Sequence, residues 1–166
     1  MSDYKAADGS IGGQAIDETS TTLKNRLGRK VCALDMATTD YGFGEFIYLQ
    51  GVASTAVGSV VIYDLGDYST SLASANGVGL IAVAMSANVA SQYGWYQICG
   101  RSVCKVLASF ADDTMAYLTS TAGSLDDAVV VGDAVHTSFG FSDIDTPATG
   151  LAEIGIQYPF VTNISN

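Results

Sequence analysis

The stretch from Gly77 to Phe110 constrains the fold more than any other part of the chain. Between Leu80 and Ser86 large and small side chains alternate. Ile81, Val83 and Met85 point one way, and Ala82, Ala84 and Ser86 point the other. A repeat of two is that of a β-strand with one face packed into a core, whereas an amphipathic helix repeats its apolar residues about every 3.6 positions. Tyr93 to Ile98 is aromatic, carries the single tryptophan, Trp95, and reads as a second strand. Gly100-Arg101 interrupts the apolar run, and Val103 to Ala108 resumes it as a third strand with Lys105 as its lone charge. Gly100 fits either a turn or a bulge. The stretch holds no reactive constellation and reads as scaffold.

The same pattern recurs along the chain. Lys30–Met36, Glu45–Gln50, Gly58–Asp64, Met115–Thr119, Ala128–Val131, Ala134–Ser138 and Leu151–Val161 are expected strands. In the last of these Ala152, Ile154, Ile156 and Tyr158 face one way and Glu153 and Gln157 the other. Gly66–Asn76 and Phe139–Thr149, the latter with Asp143, Asp145 and Pro147, read as loops, and Leu23–Leu27 as one helical turn before Gly28. No window keeps a helical apolar period, and the longest stretch free of Gly and Pro, Arg101–Ala122, is broken by Asp112-Asp113-Thr114. Many short strands at close spacing predict an all-β protein, a single β-sandwich or β-barrel domain over residues 30–166. A faint internal echo relates Ala56–Val61 to Ala128–Val135 and Gly79–Ala84 to Gly150–Gly155.

Residues 1–29 differ from this body. Residues 1–22 are polar and Gly-rich, with Ile11 and Ile16 nearly the only aliphatics larger than Ala. Such a segment alone buries too little surface to offset its ordering entropy, so 1–29 is expected to be an extended N-terminal arm that orders against a partner. Charge separates the two regions as well. The net charge is −10, yet residues 1–30 carry +1 and the rest −11, because Lys5, Lys24, Arg26, Arg29 and Lys30 are five of the seven basic residues. An acidic body disfavours nucleic acid, which needs clustered Lys and Arg. Lys24, Arg26, Arg29 and Lys30 are therefore the candidate interaction residues, a basic patch suited to an acidic surface or a neighbouring copy. No apolar run reaches the roughly 20 residues of a membrane helix, and the first residues lack a signal peptide's apolar segment, so synthesis in a cytoplasm is expected.

Catalytic motifs are missing from this reading. His136 is the one histidine, sits in a Val-His-Thr strand, and has no Gly-x-Ser-x-Gly elbow to serve. Gly77-Val78-Gly79-Leu80-Ile81-Ala82 fits a dinucleotide pattern formally, but it follows a polar segment and opens a strand where that motif needs a helix. Asp112-Asp113, Asp126-Asp127 and Asp143-x-Asp145 lack a calcium loop's ligand spacing and read as solvated turn acids. Cys32, Cys99 and Cys104 match no zinc spacing and read as reduced, packed thiols, with Cys99 and Cys104 as diagonal neighbours if Gly100 turns the chain. No catalytic residue, cofactor or metal is assigned, and the chain is not expected to be an enzyme. Its nine Tyr, six Phe and one Trp serve equally a core and an assembly interface.

Several motifs carry a resemblance. Gly-Glu-Phe-Ile-Tyr-Leu-Gln-Gly at 44–51, Gly79–Ala84, Tyr-Gly-Trp-Tyr-Gln-Ile-Cys-Gly at 93–100, Ala-Gly-Ser-Leu-Asp-Asp-Ala at 122–128 and Tyr-Pro-Phe-Val at 158–161 look like those of tailed-bacteriophage capsid decoration, or cement, proteins. The similarity runs from about Leu27 to Val161; the cysteines of Ile-Cys-Gly-Arg-Ser-Val-Cys stand where that family would have small or apolar residues. The resemblance implies a viral structural protein on the outer surface of the virion's capsid. It implies an all-β homotrimer that clamps adjacent major capsid proteins; from charge and hydropathy, no nucleic-acid or membrane partner is expected. Two other readings stand beside it: another virion assembly module (tail tube, fibre or receptor-binding domain), which shares the composition, and a small enzyme or carbohydrate-binding β domain, in which Trp95 would be needed for sugar binding.

Overall fold

A computed structural model describes residues 4–6, 13–111, 113–139 and 149–162. Among them there is no helix. In chain order the strands are β1 (Tyr4–Ala6), β2 (Thr19–Ser20), β3 (Lys30–Asp35), β4 (Phe43–Gln50), β5 (Val60–Tyr63) and β6 (Thr70–Leu72). β7 (Gly79–Ala84), β8 (Tyr93–Lys105), β9 (Tyr117–Leu118), β10 (Leu125–Asp126), β11 (His136–Phe139) and β12 (Leu151–Val161) follow. One antiparallel sheet has the order β1-β3-β4-β8-β12-β7-β5-β6, with β2 on β8 and β11 on β12, while β9 and β10 pair separately. β8 also pairs with β7, so β7, β8 and β12 meet pairwise and the sheet curls into a half-barrel. The bend that permits this lies in β12. Residues Leu151–Gln157 pair with β8, Tyr158 takes φ 49°, and Phe160–Val161 pair with β7. The all-β expectation holds.

β8 organises the sheet. Two strands were expected here, separated at Gly100-Arg101, but one strand of 13 residues runs through. Two features carry it across. Gly100 adopts φ 107°, and a Cβ there would lie 2.6 Å from the Phe43 carbonyl oxygen, so the position needs glycine. The buried Gln97 side chain reaches over it, its Nε2 donating to the carbonyls of Cys99 (3.1 Å) and Arg101 (3.0 Å). The irregularity sits just before, where Glu45 opposes Cys99 but Phe46 opposes Gln97.

Three apolar clusters fill the curl. Val60, Ile81, Val83, Cys104, Leu118, Leu125, Ala152, Ile154 and Ile156 belong to the first. Ile16, Val31, Phe46, Tyr48 and Trp95 belong to the second, and Ile47, Leu49, Val61, Ala82, Tyr96 and Ile98 to the third. Both faces of β7 are therefore covered, the large residues by the first cluster and the alanines by the third. A central strand with two buried faces explains why its small side chains are apolar too. Burying each large side chain stabilises the fold by about 1.5–3 kcal/mol.

Several local expectations need correction. Leu23–Leu27 is not helical; Leu23–Arg26 is irregular with a bend at Asn25, and the turn that follows is closed by the Arg29 amide on the Arg26 carbonyl at 3.1 Å. Ala128–Val131 is not a strand, because the Asp133 amide bonds back to the Val130 carbonyl (3.1 Å) and makes a turn there. Conversely, the polar segments 66–76 and 123–127 contain β6 and β10. Tyr158 does not join Ala152, Ile154 and Ile156: its positive φ turns it outward, 45% exposed. Glu153, expected outside, is buried and ion-paired to Arg101 at 2.8 Å. Cys99 and Cys104 share one strand, five residues apart, so they face opposite ways. Of the internal echo, Gly79–Ala84 and Leu151–Val161 are both strands on β8, whereas the other pair matches a strand to a turn. Asp112, Asp143, Asp145 and Pro147 lie outside the described residues.

Candidate interaction surface

The basic segment is held on the sheet by one buried polar side chain. Gln14, in the Gly-rich stretch, is 4% exposed. Its Nε2 donates to the carbonyls of Glu18 (2.8 Å) and Tyr93 (2.9 Å), and its Oε1 accepts the Tyr48 hydroxyl at 2.5 Å. Its backbone carbonyl accepts Trp95 Nε1 at 3.2 Å. Tyr48 and Trp95 meet edge to face at 5.0 Å, and Ile16 packs in the same cluster. β2 then adds to the start of β8, with Thr19 opposite Gly94 and Ser20 opposite Tyr93. Residues 13–29 thus lie on the body of their own chain. The entropy of ordering them is offset by two apolar side chains, Ile16 and Leu27, a fully used amide, and backbone bonds of Gly28 and Arg29 to Tyr48, not by a continuous apolar face. Gln14 gives no sign of this in the sequence, because its partners are 34 and 79–81 residues away.

The basic residues follow from that anchor. The Lys24 amide donates to the Tyr48 hydroxyl at 3.4 Å, and burial pushes the Tyr48 phenol up while that backbone contact opposes it. Lys24 and Arg26 are exposed beside Leu23, which is 52% exposed. Asn25, between them, is buried, and its Oδ1 accepts Arg29 Nη1 at 2.9 Å. Gly28 has φ 77° and lies under the Tyr68 ring, where a Cβ would come within 2.2 Å. Lys30 stands apart, on β3, with its Nζ 5.3 Å from the centre of the Tyr158 ring. The structure therefore leaves Lys24 and Arg26 exposed in one irregular segment, half-buries Arg29 after it, and sends Lys30 to a different cluster.

That second cluster was not foreseen. Cys32, Glu45, Cys99 and Gln157 stand in register across β3, β4, β8 and β12. The Tyr158 hydroxyl donates to Glu45 Oε2, which together with partial burial pushes the phenol up to about 12. Burial first, and then the Glu45 charge, push the Cys99 thiol up. Cys32 and Cys99 are two strands apart, roughly 10 Å, beyond disulfide reach, and none of the three cysteines is in a disulfide. Cys104 is fully buried, with its thiol pushed up to about 12. A high-pKa thiol is a poor nucleophile, so neither Cys99 nor Cys104 is poised for chemistry.

The remaining candidates are placed as follows. His136 stacks on Phe160 at 5.1 Å, with Nε2 3.4 Å from the Thr162 hydroxyl, at a strand pairing. Gly79 and Leu80 of the dinucleotide-like motif line a cleft of about 480 Å3 with Ile62, Tyr63, Leu65 and Val78, but they open β7 and no helix. Trp95 is fully buried and offers no platform for a sugar ring. Asp126 and Asp127 flank a turn in which Val129, Val130 and Val131 are 77%, 41% and 75% exposed. Comparison with protein-family models, curated proteins and solved structures finds no match to this chain.

Proposed function

We propose that this chain is a structural protein of a tailed-phage virion, a capsid decoration protein that binds the outside of the head and bridges major capsid proteins as a homotrimer. The observation that carries this reading is the Leu23–Arg26 segment, with Leu23, Lys24 and Arg26 exposed and the chain fixed to an acidic β body through Gln14, Tyr48 and Trp95. A binder with no chemistry to perform needs such a body and a preorganised contact, because ordering at the moment of binding then costs little. The motif resemblance from Leu27 to Val161 supports the same reading. An interaction confined to the assembled shell stabilises that shell by mass action, and repetition over many sites multiplies a modest single contact.

The test is co-sedimentation of the purified chain with expanded heads and with free coat subunits. Binding to heads alone is expected. Lys24→Glu with Arg26→Glu, which breaks the contact between copies that gives the oligomer its repeated sites on the head, should weaken it about tenfold or more and leave the fold intact. Binding to tails or fibres instead would favour the other assembly-module reading.

A further inference from the structure

We infer that the valine turn of one copy docks on the basic segment of the next, so that the chain associates head to tail. The inference deepens the self-association part of the reading above and does not depend on the capsid. A run of three exposed valines has no place in a monomer's surface unless something covers it. Val129, Val130 and Val131 form that run, 77%, 41% and 75% exposed. The turn is held rigid from behind. Asp133 is buried, its amide bonds the Val130 carbonyl, its carbonyl accepts the Leu118 amide (2.8 Å), and its Oδ1 accepts the Asn76 amide at 2.7 Å.

Charge selects the occupant. Asp126 and Asp127 stand partly exposed just before the valine run, and no Lys or Arg falls between Val106 and Val135. Such a surface repels an anionic lipid or nucleic acid and calls for an apolar patch edged with cations. This chain has one: Leu23 exposed, with Lys24 and Arg26 exposed beside it. The two patches cannot meet within one copy. β2, next to the basic segment, pairs with the first residues of β8, while Leu125, next to the valine turn, bridges to Val106 just past its last. The length of β8 between them is up to about 40 Å. Two different patches on one chain make a heterologous contact, which closes as a ring or extends as a filament.

The full chain is measured by size exclusion with light scattering at up to about 100 µM. The unaltered chain should form oligomers. Val129→Ser with Val131→Ser, and separately Lys24→Glu with Arg26→Glu, should each weaken association at least about tenfold while keeping the far-UV spectrum and melting point. Each double variant retains one intact patch. Mixed together, they should form a one-to-one dimer that grows no further, which no two-fold symmetric contact would give. A monomeric unaltered chain, unaffected variants, or a mixture without dimer would overturn the inference. Loss of head binding in the valine variant of a monomeric chain would do so as well, assigning the turn to coat protein and leaving the capsid reading intact.

Discussion

The two halves of β8 are one strand under two different rules. From Gly94 to Ile98 every residue is buried, whichever way it points. From Cys99 to Lys105 burial alternates, with Ser102 and Cys104 inside and Cys99, Arg101, Val103 and Lys105 partly open. The difference comes from neighbours. The first half lies between β4 and β7, with Trp95 in one cluster and Tyr96 and Ile98 in another. The second half pairs with β12, and its buried face meets the first cluster. The alternation of a strand is thus a property of what covers it as much as of its own residues.

Substitutions in β8 sharpen or break this contrast. Trp95→Ala should cost the most, about 3–5 kcal/mol in urea unfolding, since it opens the second cluster and removes the donor to the Gln14 carbonyl. A cost near that of an exposed residue would mean the first half is not doubly covered. Gly100→Ala, at the junction, should cost about 2–3 kcal/mol, because neither its φ of 107° nor the 2.6 Å approach to the Phe43 carbonyl admits a Cβ. An unchanged stability there would place the bulge elsewhere.

A pH titration probes the first half without cutting it. Burial pushes the Tyr96 phenol up to about 12 from an ordinary 10.0. The unfolded chain then releases this proton first, so stability is full below pH 10 and falls as pH rises from 10 to 12. The expected loss is about 1–3 kcal/mol, and Tyr96→Phe should flatten the slope in melts at stepped pH. Lys105→Ala, in the second half and on its open face, should move stability by less than about 0.5 kcal/mol. A larger change would show that the outer face of this half is covered after all.

Much of the sheet was legible in the sequence, and the misses have physical causes. The runs at Lys30, Glu45, Gly58, Leu80 and Leu151 became strands because apolar and β-branched residues recur in them. Gly100-Arg101 looked like a break because local composition hides Gln97 reaching across it and Glu153 pairing with Arg101. β6 and β10 are short and polar and exist through their partners alone. The valines at 129–131 have strong β propensity, yet Asp133, fixed by a distant amide, folds them into a turn. Of the basic candidates, charge contrast found Lys24 and Arg26 together. It had no means of separating Lys30, whose place depends on the reversal at Tyr158.

The most direct test of the central claim is a cryo-electron microscopy reconstruction of expanded heads saturated with this chain. The account predicts a symmetric knob over junctions between coat proteins, with the Leu23–Arg26 segment in an interface. Heads without added density, or density confined to a tail, would contradict it.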